Sequence, residues 1–84
     1  ATAIPNALPS MWLKALAATD RILSVMPDLA EEYRDRGMIY LSLECFRAAL
    51  FDLQAYIKML PVAADAETVR RKVIELQATA ARLN

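Results

Sequence analysis

Apolar residues recur at spacings of three and four along most of the chain, and the pattern is interrupted at Pro27, around Glu44 and Cys45, and at Pro61. This punctuation predicts four helices and an all-α fold. Ser10 is a natural N-cap for a first helix reaching about Met26, with Met11, Ala15, Ala18, Ile22, Val25 and Met26 along one broad inward stripe. Residues 1–9 are expected to be a flexible N-terminal extension to a helical domain over 10–84. Asp28 is placed to cap a second helix reaching about Leu43, with Glu31 and Glu32 in its dipole-favoured first turn and Tyr33, Gly37, Tyr40 and Leu41 on its inner side. A third helix is expected from about Phe46 to Leu60. Asp65 then caps a fourth over about Ala66 to Leu83, which carries Val69, Val73, Leu76 and Ala80 at spacings of four and three.

The pattern repeats. A shift of 34 residues lays Trp12 on Phe46, Ala15 on Ala49, Leu16 on Leu50, Leu23 on Ile57, Val25 on Met59, Met26 on Leu60 and Pro27 on Pro61. Each matched segment ends at a proline, which lacks the N–H needed to continue a helix and crowds the turn before it. A period of this length implies stacked helical hairpins, in which each unit buries its apolar face against its neighbours.

The second and third helices together resemble one complete tetratricopeptide repeat, spanning about 30–63 with a half-repeat on either side. Tyr33, Gly37 and Tyr40 stand where that family has an aromatic, a small residue four later and an aromatic three beyond; Phe46, Ala49, Leu53 and Pro61 supply its second helix. The resemblance implies antiparallel helix hairpins, about four helices in a short right-handed superhelix, with Trp12, Ala15 and Pro27 in the corresponding places of the earlier half-repeat. Gly37 and Ala49 would let two backbones approach, leaving Tyr33, Tyr40 and Leu53 to fill the space around them. Two residues depart from the family pattern: Arg36 stands in a slot usually held by leucine, and Glu44 where a turn glycine is common. The fourth helix, with Arg71 in the glycine slot, is similar to a terminal capping helix.

A narrower resemblance lies in the strings Tyr33-Arg34-Asp35-Arg36-Gly37 and Pro61-Val62-Ala63-Ala64-Asp65-Ala66-Glu67. They are similar to the C-terminal repeat region of bacterial transglutaminase-like proteins of the invasion-regulator type. This implies a helical tail of a longer protein, and none of the catalytic residues of such a protein can be carried over to it.

Composition narrows the chemistry. Hydrophobic residues make up 57% of the chain with a single glycine, so some apolar surface is expected to stay outside so small a core. Ten basic residues balance ten acidic ones, which speaks against nucleic acid or an anionic membrane as partner. Arg70, Arg71 and Lys72 lie beside Glu67 and Glu75 at helical spacing and read as a solvated, paired face. The uncharged run from Ala1 to Leu13 is too short for a membrane span and has no basic start like that of a secretory signal, so a cytoplasmic location is expected.

Histidine is absent, which removes the commonest general base and the commonest metal ligand. Cys45 lacks an identifiable base, and the single glycine cannot build a phosphate loop. Glu31, Glu32 and Asp35 are interleaved with Arg34 and Arg36 and read as a helix start, not a metal site. We therefore expect no enzyme activity, catalytic residue, metal or cofactor. Arg36, on the inner side, needs a carboxylate, and Asp52 is the candidate.

The expected function is protein or peptide binding. In stacked hairpins the first helix of each repeat lines the concave face, so the residues assigned to a protein-binding groove are Glu31, Arg34, Met38, Leu41 and Ser42. Its character suits an apolar helix or extended segment better than an acidic tail. One full repeat leaves open faces, to be covered by a second copy in a homodimer, by a parent transglutaminase-like domain or by a separate partner, with Phe51 and Tyr56 as further contacts. An accessory part of a transglutaminase-like hydrolase or transferase is the alternative.

Overall fold

Four helices follow one another in the computed structural model, which describes the backbone of residues 3–83 and the side chains of residues 10–83. They are α1 (Ala3–Val25), α2 (Ala30–Ser42), α3 (Phe46–Met59) and α4 (Ala66–Arg82). The described residues contain no strand. Each helix packs on its neighbour in sequence; the α2–α3 interface is the most extensive, followed by α3–α4, and among the described residues α1 packs against α2 alone. The domain is thus a run of helical hairpins whose first helix is the least enclosed.

Local chemistry explains most boundaries. Pro27 and Pro61 lie just beyond α1 and α3 and block their continuation. Between α2 and α3, the Cys45 N–H donates to the Tyr40 carbonyl at 2.9 Å and the Glu44 N–H to that of Leu41 at 3.0 Å. This pair of bonds satisfies the last carbonyls of α2 and requires a left-handed residue, which is Glu44 at φ 59°. A side chain therefore occupies a position that favours glycine.

Two helix starts and one cap differ from the sequence reading. α1 begins at Ala3, not at Ser10, so the expected boundary after residue 9 is not a helix start. Pro5 falls in the first turn, where the missing N–H forfeits no intrahelical bond, and its fixed φ suits a helix. Residues 1 and 2 of the expected extension lie outside the described residues. Asp28 does not cap α2. Leu29 is the N-cap, with no side-chain bond, while the Tyr33 hydroxyl donates to the Pro27 carbonyl at 3.1 Å and fixes the turn that precedes it. Asp65 occupies the N-cap position of α4 but makes no capping bond, because its carboxylate is engaged by Tyr56 and Arg34.

The core is centred on α3. Ala49, Leu53 and Tyr56 are fully enclosed, together with Ala30, Val69 and Leu76, and Tyr33, Tyr40, Leu41, Phe46 and Val73 pack around them. Gly37 lets α2 and α3 approach closely: a Cβ there would lie 2.8 Å from Leu53 Cγ and Cδ2 and 3.3 Å from Asp52 Cβ. Tyr56, expected as an outward contact, is 1% exposed, whereas Phe51 is 70% exposed. At 3.6 residues per turn the two positions lie about 140° apart around the axis of α3, Tyr56 on the packed face and Phe51 on the open one.

The stripe assigned to the inside of α1 is also displaced. Thr19 and Leu23 are buried and Trp12, Ala15 and Leu16 half-buried, but Met11, Ile22, Val25 and Met26 are exposed. A helix with a single neighbour buries one narrow line. The apolar residues to one side of that line are left facing out.

Candidate protein-binding face

Arg34 organises one side of the molecule. From α2 its Nη1 donates to Asp65 Oδ2 at 3.1 Å and its Nε to Asp35 Oδ1 at 3.1 Å, and its guanidinium lies over the Tyr56 ring, 5.4 Å from the centroid. The buried Tyr56 hydroxyl donates to the other oxygen of Asp65. That bond, with help from Arg34, holds the Asp65 carboxyl below the usual carboxylate range. The same bond, together with burial, pushes the Tyr56 phenol above its ordinary value. One carboxylate at the entrance to α4 thus ties α2 and α3 to the loop between α3 and α4.

Beside this network, α2 and α4 enclose a cavity of about 180 Å³. Its walls are Arg34, Met38, Asp65, Thr68, Val69 and Lys72, and Leu53 forms its floor. Met38 is 44% exposed at the mouth. Both cations at the rim are paired, Arg34 as above and Lys72 with Glu75 at 3.1 Å, so the space offers an apolar bed bordered by compensated charge. Such a bed accommodates an apolar side chain from a partner helix or strand, and it does not single out an anionic one.

Of the five residues assigned to a groove by spacing, the structure brings Arg34 and Met38 into this cavity. Leu41 packs against the core, and Glu31 and Ser42 are exposed outside the cavity, with the Ser42 hydroxyl turned back to the Met38 carbonyl at 3.2 Å. Thr68, Val69 and Lys72 were not anticipated. The repeat itself carried the signal for two of them, because Thr68 and Lys72 stand 34 residues after Arg34 and Met38 and continue the same face onto the next helix.

Arg36 has a different task. Its Nε and Nη2 donate to Asp52 Oδ2 and Oδ1 at 2.7 and 2.9 Å, and Nη1 donates to Asp20 Oδ1 at 3.1 Å. The two-pronged bond to a carboxylate that is 2% exposed, with the Tyr33 ring 5.6 Å away, stitches α2 to α3, and the third contact reaches α1. The hydrogen bond to Asp52 leads the effects that raise the Arg36 pKa, so the guanidinium stays charged. This cluster is a structural clip, not a reactive site.

A second cavity, about 300 Å³, lies between α3 and α4 over Ile57, Val73 and Ile74, with Gln54, Lys58 and Arg70 at its edge. Exposed Cys45 sits in the α2–α3 turn, its thiol donating to the Leu43 carbonyl at 3.8 Å. No helix among the described residues is long and apolar enough to cross a membrane.

Comparison with known proteins agrees with this architecture. A UPF0162 protein of Xylella fastidiosa (strain Temecula1 / ATCC 700964) is 37% identical over 65 residues, which are 77% of this chain and 23% of that protein. A UPF0162 protein of Vibrio cholerae is 41% identical over 59 residues, covering 70% of this chain and 22% of that protein. Protein SirB1 of Salmonella typhimurium is 36% identical over 59 residues, with the same coverage. The chain therefore spans less than a quarter of the length of these curated relatives. No solved structure matches. The family described as tetratricopeptide repeat matches residues 9–73, and with the hairpin packing around Gly37 and Ala49 this establishes that the chain belongs to the tetratricopeptide repeat family.

Proposed function

We propose that this chain is a protein-interaction module, working as the helical part of a larger bacterial protein, with no catalytic role of its own. The observation that carries this reading is the α2–α4 cavity, where exposed Met38 stands beside the largely buried Val69 between charges that already have partners. Neither the cavity nor the Arg36 clip holds an arrangement of nucleophile and base. An apolar side chain on a partner helix or extended segment is what the space fits.

The test is site-directed photocrosslinking in cells that make the protein, with a photoreactive residue at position 38 or, as a control, at exposed position 77. The reading expects a protein trapped from position 38 and not from 77, which then binds the purified chain and loses affinity for Met38→Glu. No trapping above the control, or binding indifferent to Met38→Glu, would overturn it.

A second reading has the chain contributing to a transglutaminase-like hydrolase or transferase. It is favoured by the motif around Gly37 and by the far greater length of the UPF0162 and SirB1 relatives. On this reading the same apolar face docks against the remainder of the longer protein.

A further inference from the structure

Resting on the reading of the α2–α4 cavity as a partner site, we infer that the segment it takes from a partner protein is cationic. A lysine or arginine of that segment stands about 5–10 Å from the apolar side chain that enters the cavity, toward the first turns of α2 and α4.

The apolar bed selects one side chain of such a segment, and the charges around it select the neighbours. Two cations stand at the rim, and neither is free to meet a carboxylate. Arg34 is shared between Asp35 and Asp65, each at 3.1 Å, and Lys72 is held by Glu75 at 3.1 Å. One guanidinium thus serves two carboxylates, whose side chains remain 47% and 39% exposed. Glu31 adds a further acid: it is exposed and has no ion-pair partner among the described residues. Arg34 and Lys72 are therefore outnumbered by Glu31, Asp35, Asp65 and Glu75, which leaves two negative charges in excess.

That excess lies along one edge. Asp35 and Glu31 precede Met38 by three and seven residues, which puts them one and two turns away on the same face of α2. A rise of 1.5 Å per residue sets them about 5 and 10 Å from Met38 along the helix axis. Asp65 holds the matching place on α4, 34 residues after Glu31, and lines the cavity itself. Tyr56 and Arg34 each occupy one Asp65 oxygen, whereas Asp35 Oδ2 and the Glu31 carboxylate accept no bond among the described residues and are open to a cation. The N-termini of α2 and α4 offset about half a charge each, and Glu32 in the first turn of α2 returns a full negative charge to the same end. The edge stays acidic.

A partner cation placed there meets open carboxylate oxygens beside the seated apolar side chain. An acidic tail meets carboxylates in excess and cations that are already neutralised, so the cavity discriminates against it. In an extended segment, at about 3.3 Å per residue, two or three residues separate the apolar anchor from the cation; in a helical one the separation is about three to seven residues.

The experiment selects random dodecapeptides displayed on phage against the full chain, with Met38→Glu as counter-selection, and measures the affinities of the resynthesised peptides. The expected peptides carry an apolar residue with lysine or arginine at one of those spacings, and exchanging the basic residues for glutamate weakens binding by about tenfold at low salt and less at high salt. The double variant Glu31→Lys, Asp35→Asn should lose this preference, and Glu44→Lys at the far end of α2 should keep it, with helix content unchanged in both by circular dichroism. Peptides that need Met38 but bind equally well with glutamate, or a preference that survives in the double variant, would overturn the cationic segment and leave the partner site standing. Failure to select any Met38-dependent peptide would overturn both. Self-association that the peptides displace would make a second copy the occupant, and loss of peptide binding in a longer form of the protein would make its own remainder the occupant; either counts against a partner protein.

Discussion

α1 and α3 carry one apolar pattern and have two different fates. In α3, helices on both sides leave Ala49, Asp52, Leu53 and Tyr56 with almost no exposure; in α1, one neighbour encloses little beyond Thr19 and Leu23. Burial here is set by how many helices are present to pack, and sequence periodicity alone does not report that number. Matched positions in the two helices should therefore respond very differently to the same chemical change.

The widest gap is expected at positions 53 and 19. Leu53→Ala empties a fully enclosed site and should cost about 4 kcal/mol, whereas Thr19→Ala, which loses one methyl group and a hydroxyl turned back to the Leu16 carbonyl, should stay within about 1.5 kcal/mol. Urea unfolding of both variants measures the difference. Equal costs would break the comparison.

The two carboxylates on Arg36 form the next pair. Asp52→Ala strands the guanidinium against α3 and should cost about 3 kcal/mol, while Asp20→Ala removes a half-exposed contact worth less than about 1 kcal/mol. Replacing Arg36 and Asp52 together by leucine should recover most of the loss, as measured by thermal unfolding of the single and double variants.

At the α2–α3 contact, Gly37→Ala gains about 1 kcal/mol of helix propensity but drives a methyl group into the Leu53 side chain, for a net loss of about 1 kcal/mol. Glu44→Gly acts in the opposite direction. It releases a left-handed residue and should raise stability by about 0.5–1 kcal/mol without altering the Cys45 and Glu44 N–H bonds that end α2.

The smallest effect depends on pH. The Asp65 carboxyl is held down chiefly by the Tyr56 hydroxyl and also by Arg34, so its stabilising contribution is present above the unfolded-state carboxylate value and is lost as pH falls through the lower folded-state value. The stability difference between the native chain and Asp65→Asn should be open at neutral pH and close below the usual carboxylate range. The Tyr56 phenol shifts the other way, and its contribution is lost only as pH rises past its raised folded-state value.

Much of this was legible in the chain. Proline punctuation and the 34-residue shift gave the helix count, the resemblance to a tetratricopeptide repeat gave the α2–α3 contact at Gly37, and the cost of an unpaired inner arginine pointed from Arg36 to Asp52. Caps were less readable. Asp28 and Asp65 have the right chemistry at nearly the right places, but tertiary partners claim Asp65, and a tyrosine bond to the Pro27 carbonyl shapes the turn that contains Asp28. The inward stripe of α1 was read as core because periodicity identifies an apolar face without saying whether anything lies against it. Arg34 and Met38 could be placed on the concave side, but their α4 neighbours needed the same shift applied once more.

Native-state hydrogen exchange on the full chain tests the unequal enclosure of the two equivalent helices most directly, because it reads the opening free energy of each helix separately. The account predicts that amides of α3 between Ala49 and Tyr56 exchange only through global unfolding, while those of α1 between Leu16 and Leu23 exchange through a smaller opening at lower free energy. Equal protection of the two helices would show that α1 is not short of a partner and would contradict the account.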